Sequence, residues 1–316
     1  MDIDVFPSHE RVTVLRVLRS ALNRMQPLNH SERLFLETYA RIVGYALPVA
    51  NPPTIDAREV SIEGAHQRKR LVQLSAIAAL LSRPVRAESV EFVKALARRL
   101  GTHDPVLNVL DAVVAGRFVR VRLLVMRRIM RVMLSEAHRA QGAMGVVRLL
   151  AAMLLKAPVN RDKLVQFKRL GLLPEGTLGR EYWKHMTTAG FGFPGEPGGI
   201  PDTVVYHDIA HVLAGHPATG LGEIQQGSFQ AGNRREDGFF FIQFVLLHFH
   251  QGIRITPAAP PEIGHFDPQR VLWALHRGAQ CNVDMTSQWD FWPLMTLTLE
   301  EAGKQVGLLP KLPITA

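Results

Sequence analysis

The run Asp202-Thr203-Val204-Val205-Tyr206-His207-Asp208-Ile209-Ala210-His211-Val212-Leu213-Ala214-Gly215-His216 opens on a helix N-cap residue type and closes on a helix-stopping glycine. That pattern predicts one helix of about three turns. At about 100° per residue, His207 and His211 sit one turn apart on one face, with Asp208 about 60° beyond His211. Gly215, Pro217, Gly220 and Gly222 then force a reversal, and Glu223 opens the next helix. A helical hairpin of this kind carries the Glu223 carboxylate back towards the three. His207, Asp208, His211 and Glu223 together supply two imidazoles and two carboxylates, which is a metal site by ligand type. Nitrogen and oxygen donors without thiolate suit Zn²⁺, and also Fe²⁺ or Mn²⁺.

The competing reading of His207 and His211 is a pair of ordinary histidines at helical spacing. Asp208, and a glutamate placed after a Gly/Pro turn, weigh against it. His216, His248 and His250 fall nearby in sequence, and structural histidines are the commoner outcome for such positions. By residue type, His216 and His250 are the candidates for acid-base work.

Outward from this segment, the whole chain reads as mostly α. In the first half, Arg11–Met25, Ser31–Leu47, Arg68–Ser82, Ser89–Leu100 and Pro105–Ala115 carry apolar residues at three- and four-residue spacing. Pro48, Pro52-Pro53, Pro84, Gly101 and Gly116 stand where those helices should stop. Residues 158–202 read as short elements and a Gly/Pro loop. Helices are then expected at Glu223–Ala231, Gly238–Gly252, Pro268–Ala279 and Trp289–Val306. Two helical domains are expected, residues 1–157 and 158–316, with the boundary near Pro158.

Charge separates the same two halves. Of the formal net charge of +9, residues 1–157 contribute +11 and residues 158–316 contribute −2, whereas eight of the thirteen histidines lie between His185 and His276. The most basic segment, residues 117–134, interleaves Arg117, Arg120, Arg122, Arg127, Arg128 and Arg131 with Val, Leu, Ile and Met. Such a helix is either a solvated face opposite a core face or a surface for anionic lipid. No helix-turn-helix, zinc-finger or aromatic-basic pattern accompanies the arginines, so nucleic acid is not an expected partner. The single cysteine, Cys281, excludes a disulfide scaffold and suits a reducing compartment. The acidic start and the absence of a sufficient apolar run predict a cytoplasmic protein, peripheral on a membrane at most and not secreted.

Several motifs in one order resemble the ubiquinone (coenzyme Q) biosynthesis protein 4 family, over about residues 158–310. They are the His207-Asp208-x-x-His211 spacing with Glu223, the upstream Leu173-Pro174-Glu175-Gly176-Thr177-Leu178-Gly179-Arg180-Glu181-Tyr182, and downstream His276-Arg277-Gly278-Ala279 and Trp289-Asp290. The family has glutamate where Asp290 stands, and a longer lead-in with an arginine before its His-Asp pair. The first half is no part of that pattern; around residues 65–130 its helices resemble the tellurite-resistance B-like domain. Ser82-Arg83 replaces the Asp-Gly pair of that domain, so no metal site carries over.

The first resemblance implies a helical metalloprotein domain in the second half, with His207, Asp208, His211 and Glu223 as ligands. It also implies action on the C1 carboxyl of a polyprenylated hydroxybenzoate, by decarboxylation with or without oxidation. That would be a metal-dependent carbon-carbon lyase. A non-catalytic subunit that presents a prenylated lipid to other quinone-biosynthesis proteins stands beside it, and a metal-dependent hydrolase behind both. The apolar helix Phe239–Leu247 would either wall a tunnel for the isoprenoid tail or serve as a core helix. Anionic membrane would be met by the Arg117–Arg131 segment, and a homo-oligomer fits either reading.

Overall fold

The computed structural model describes residues 1–45, 52–154, 160–197, 199, 202–257, 259–287 and 289–311. The expected stop at Pro48 and the expected boundary near Pro158 lie outside them. Among the described residues the secondary structure is helical, apart from two isolated bridges. The helices are α1 (Arg11–Leu22), α2 (His30–Ile42), α3 (Ala65–Leu80), α4 (Ala87–Arg99), α5 (Val106–Val114), α6 (Phe118–Leu154), α7 (Arg161–Arg169), α8 (Leu178–Ala189), α9 (Asp202–Ala214), α10 (Gly220–Asn233), α11 (Phe239–Phe249), α12 (Pro268–Gln280) and α13 (Leu299–Gln305). None of them is long and apolar enough to cross a membrane.

Capping explains where several begin and end. Asn29 accepts from the Glu32 amide while the Glu32 carboxylate accepts from the Asn29 amide, a reciprocal box that starts α2. This helix ends at Ile42 rather than at the expected Leu47, because Tyr45 and Gly44 turn their amides back onto the Ala40 and Arg41 carbonyls. The helix expected over Trp289–Val306 is two pieces. Pro293 lies in a 3₁₀ turn at Trp292–Leu294, and a new box, Thr298 with Glu301, starts α13. Two helices in the region read as short elements, α7 and α8, are capped by Asn160 and Thr177.

The chain divides into two compact units, each discontinuous in sequence. The first combines residues 1–126 with 223–279; the second combines 127–222 with 280–311. The dividing lines fall inside α6, in the first turn of α10 and before the last residue of α12.

In the first unit α3 is the central element, since every residue from Leu71 to Leu80 is buried. Leu15, Leu18 and Leu22 of α1 and Val93 and Leu96 of α4 are buried with it. Burying aliphatic side chains of this size contributes about 1.5–3 kcal/mol each. The one long polar side chain between Leu71 and Leu80, Gln73, donates to the Asp104 carboxylate at 2.9 Å, and Asp104 also accepts from the Val106 amide. The last carbonyls of α3 are covered by distant residues: Gln251 donates to Leu80 O at 2.7 Å and to Ser82 O at 3.0 Å. Nine of the eleven residues of α11 are buried, so of the two roles considered for Phe239–Leu247 the packing is that of a core helix. α10 and α12 pass at backbone distance. A Cβ on Gly232 would stand 1.9 Å from Leu275 O, and one on Gly278 2.0 Å from Phe229 O. Gly278 of the Arg277-Gly278 pair is therefore a packing residue.

In the second unit the Leu173–Tyr182 run is a docking device for α8. Thr177 caps the helix, the Leu178 amide donates to Leu297 O at 2.8 Å, and the Gly179 amide donates to Met295 O at 2.9 Å. Tyr182, one turn further on, is buried against Phe167 at 5.9 Å between ring centroids.

Candidate metal centre

From Val205 to Ala214 every residue of α9 is buried or half-buried. Val205, Ile209 and Leu213 are buried at four-residue spacing, which turns His207 and His211 to another face. The helix stops in a left-handed turn at Gly215, where the His216 amide returns to His211 O at 3.0 Å. The Gly222 amide donates to Thr219 Oγ1 at 3.2 Å, which tightens the connection into α10. Across this local hairpin one ligand atom each from His207, His211 and Glu223 lies within 4.8 Å of the others. That group could hold a metal ion.

The donor set fits a cation on its own geometry. His211 Nδ1 lies 3.1 Å from His216 O. A carbonyl only accepts, so Nδ1 carries the hydrogen and Nε2 presents a lone pair. That lone pair faces His207 Nε2 at 3.0 Å. Two imidazoles bound to one Zn²⁺ at about 2.0–2.1 Å have nitrogens roughly 3–3.4 Å apart, so the two rings already stand near ligating separation. The His216 backbone is thus the outer support that fixes the ring of a ligand, a role worth about 10–100-fold in metal affinity. Buried His211 contrasts with half-buried His207 and Glu223.

Asp208 does not join the trio. It is buried, and its negative charge, second to burial itself, pushes the Tyr182 phenol well above the usual tyrosine range. Tyr182 therefore stays protonated beside it. The charge of Asp208 acts on Tyr182 of α8, whereas Glu223 joins the two histidines. His185 of α8, which the sequence pattern did not single out, stacks on His211 with centroids 5.8 Å apart and rings 24° from parallel. The clustering of histidines after His185 was the one signal for it.

His250 and His248 are held by the backbone. His250 Nε2 donates to Leu81 O and Nδ1 accepts from the Phe266 amide, both at 3.1 Å; His248 accepts from the Ile255 amide and donates to Ala259 O. Both ring nitrogens of His250 are engaged, and burial lowers its pKa to about 4, so it is a neutral clamp and not a poised acid. The sign of its pH effect follows. Unfolded, the ring protonates near pH 6.5; folded, it resists protonation until about pH 4, so its contribution is complete above pH 6.5 and is lost as the pH falls towards 4. The loss is on the order of 3 kcal/mol. Urea titrations from pH 7.5 to 4 should show this decline in the native protein and a flatter profile in His250→Gln; equal slopes would count against the assignment.

Neither the models of known protein families nor the characterised proteins searched give a match to this chain. The arrangement is accordingly judged on its own chemistry. Three protein ligands of type His₂Glu leave coordination positions for water or substrate, unlike the closed four-ligand sets of structural zinc. Two imidazoles and one carboxylate also suit iron(II) with open positions.

Two further features bear on a substrate. A cleft of about 510 Å³ in the second unit is lined by Val165, Leu170, Leu173, Trp292 and Met295, among others. Trp292 contacts Phe291 at 5.1 Å, and Phe291 meets Tyr206, the neighbour of His207, at 5.9 Å. At the start of α6, Val121 and Val125 are buried while Phe118, Val119 and Leu123 are exposed by 54%, 77% and 66%. Arg117, Arg120 and Arg122 are exposed with them, whereas Arg128 is buried.

Proposed function

We propose that the protein is a metal-dependent decarboxylase of a polyprenylated hydroxybenzoate, working at the α9–α10 hairpin. The observation that carries this reading is the three-ligand group His207, His211 and Glu223, which leaves positions for a substrate carboxylate or phenolic oxygen. When bound, a divalent cation, Zn²⁺ first and Fe²⁺ or Mn²⁺ as alternatives, supplies Lewis acidity at those oxygens. His211 is oriented for its part by the His216 carbonyl, and buried Tyr182 stays protonated under the charge of Asp208. In the reaction the bond between C1 and the carboxyl carbon breaks, its electron pair stays on C1, CO₂ leaves and a solvent proton takes its place. The ring of motifs from Leu173 to Asp290 supports the substrate class, and the cleft beside Trp292 offers apolar wall for a prenyl tail.

The test is release of labelled CO₂ from carboxyl-labelled prenylated hydroxybenzoate in vesicles by metal-loaded protein. Release by the native protein and none by Glu223→Gln is the expected result. A protein that holds a full equivalent of metal and releases no CO₂ would overturn the reading.

A membrane-dissolved substrate calls for a protein that reaches the membrane. Val119 and Leu123 stand one turn apart on the surface of α6 with Arg120 and Arg122 beside them, which is the pattern of a helix lying in a lipid interface. Each arginine near an anionic surface contributes about 1 kcal/mol. In flotation assays, binding should rise when phosphatidylglycerol is mixed into neutral vesicles, and should fall in a Phe118→Ser/Val119→Ser/Leu123→Ser variant. Binding that ignores the anionic lipid would sink this part.

A further inference from the structure

A small cavity of about 160 Å³ in the first unit is lined by His66, Lys69 and Arg70 from the first turns of α3 and by Arg234, Arg235 and Asp237 from the α10–α11 connection. It shares no residue with the hairpin trio. Formal cations therefore outnumber the lining carboxylate, and they converge in a concavity, where field lines are focused. The start of α3 adds the positive end of a sixteen-residue helix.

Arg70 shows what is missing. Its Nη1 donates to Gln73 Oε1 at 2.8 Å and its Nη2 meets His66 Nε2 at 3.4 Å; both partners are neutral acceptors. Gln73 is itself fixed by its bond to Asp104, so the guanidinium fork is held in place. The buried Arg70 Nε has no hydrogen-bond partner among the described residues. Burial brings the guanidinium pKa down to about 10, with the charges of Asp2 and Asp104 opposing that fall. Lys69, which is exposed, makes no ion pair among the described residues. A partly buried, preoriented guanidinium without a bonded anion is costly unless an anion joins it.

We infer that this cavity is a binding site for a tetrahedral phosphate oxyanion. Arginine presents a planar fork that matches phosphate oxygens two at a time, with lysine as a point charge beside it. The volume is below the roughly 300–1,000 Å³ of pockets that enclose drug-sized ligands, so it takes a phosphate group and not a whole nucleotide. The group is either free phosphate or the terminal phosphomonoester of a lipid headgroup.

The two sources are separated by two arms on the full-length protein. In the first, inorganic phosphate is titrated by calorimetry at constant ionic strength against chloride. In the second, flotation compares vesicles containing phosphatidic acid with vesicles of equal phosphatidylglycerol content. Saturable binding in either arm is expected, weakened at least tenfold in the doubly substituted Lys69→Ala/Arg235→Ala protein, whose two changed side chains are both exposed. Arg70→Lys, which keeps the charge and loses the fork, should weaken it by a smaller factor. Phosphate heats indistinguishable from chloride together with no preference for phosphatidic acid would overturn the site, as would native affinity in the double variant.

Discussion

Purified His211→Ala and Glu223→Gln proteins are expected to carry almost no divalent metal where the native protein retains close to one equivalent through gel filtration. With three protein ligands, each substitution leaves two, and a two-ligand site does not survive dilution. Outer supports are worth about 10–100-fold in metal affinity, and loss of a ligand exceeds that. Asp208→Asn belongs to the outer class because its carboxylate lies apart from the trio. It should weaken binding by no more than that range. The check is elemental analysis beside circular dichroism, so that loss of metal is distinguished from loss of fold. Full occupancy in His211→Ala would exclude the hairpin as the site. Metal loss in Asp208→Asn as complete as in Glu223→Gln would restore Asp208 as a ligand.

Gly232→Ala is expected to be the most damaging single methyl in the first unit. The added Cβ would overlap Leu275 O at 1.9 Å and the Ala279 amide nitrogen at 2.9 Å. Neither is a flexible side-chain tip that can swing aside. Two helix backbones must separate instead, and Asn233, which donates to Gly278 O at 3.4 Å, moves with them. Overpacking of this sort costs about 1–3 kcal/mol and sometimes more. At the upper end the melting temperature falls by roughly 6–12 °C. Gly303→Ala is the control for glycine content alone, since its backbone is helical and a Cβ there comes no closer than 3.7 Å to Leu308. Equal stability of Gly232→Ala and the native protein would mean that α10 and α12 do not approach as described.

The helical class was legible because the apolar spacing of residues such as Leu71, Leu74 and Ile77 has only one secondary structure that buries it. The hairpin was legible for the same reason, with Gly215 and Gly222 marking its turn. Three of the four residues expected as ligands meet, because spacing on one helix and a tight reversal are local properties. What sequence could not supply was tertiary. Asp208 carries the right chemistry at a plausible angle, and only the tertiary structure sets its charge against Tyr182 of α8 and leaves it outside the trio. His250 was an acid-base candidate by residue type alone, and Leu81, 169 residues away, takes its Nε2 hydrogen. The break between Trp292 and Leu299 was written in Pro293 and in the Thr298-to-Glu301 box, and the apolar run around them masked it.

The split make-up of the first unit also bears on how the chain is made. Residues 1–126 leave the ribosome about 150 residues before Ala279 completes the unit. At about 5–20 residues per second that interval is roughly ten to thirty seconds, long compared with the collapse of a helical segment. During it, the end of α3 lacks the caps that His250 and Gln251 later provide, and the surface destined for α11 stays uncovered. The nascent first half thus keeps apolar surface uncovered until residues 127–279 have been made, and slower synthesis of that stretch prolongs the interval.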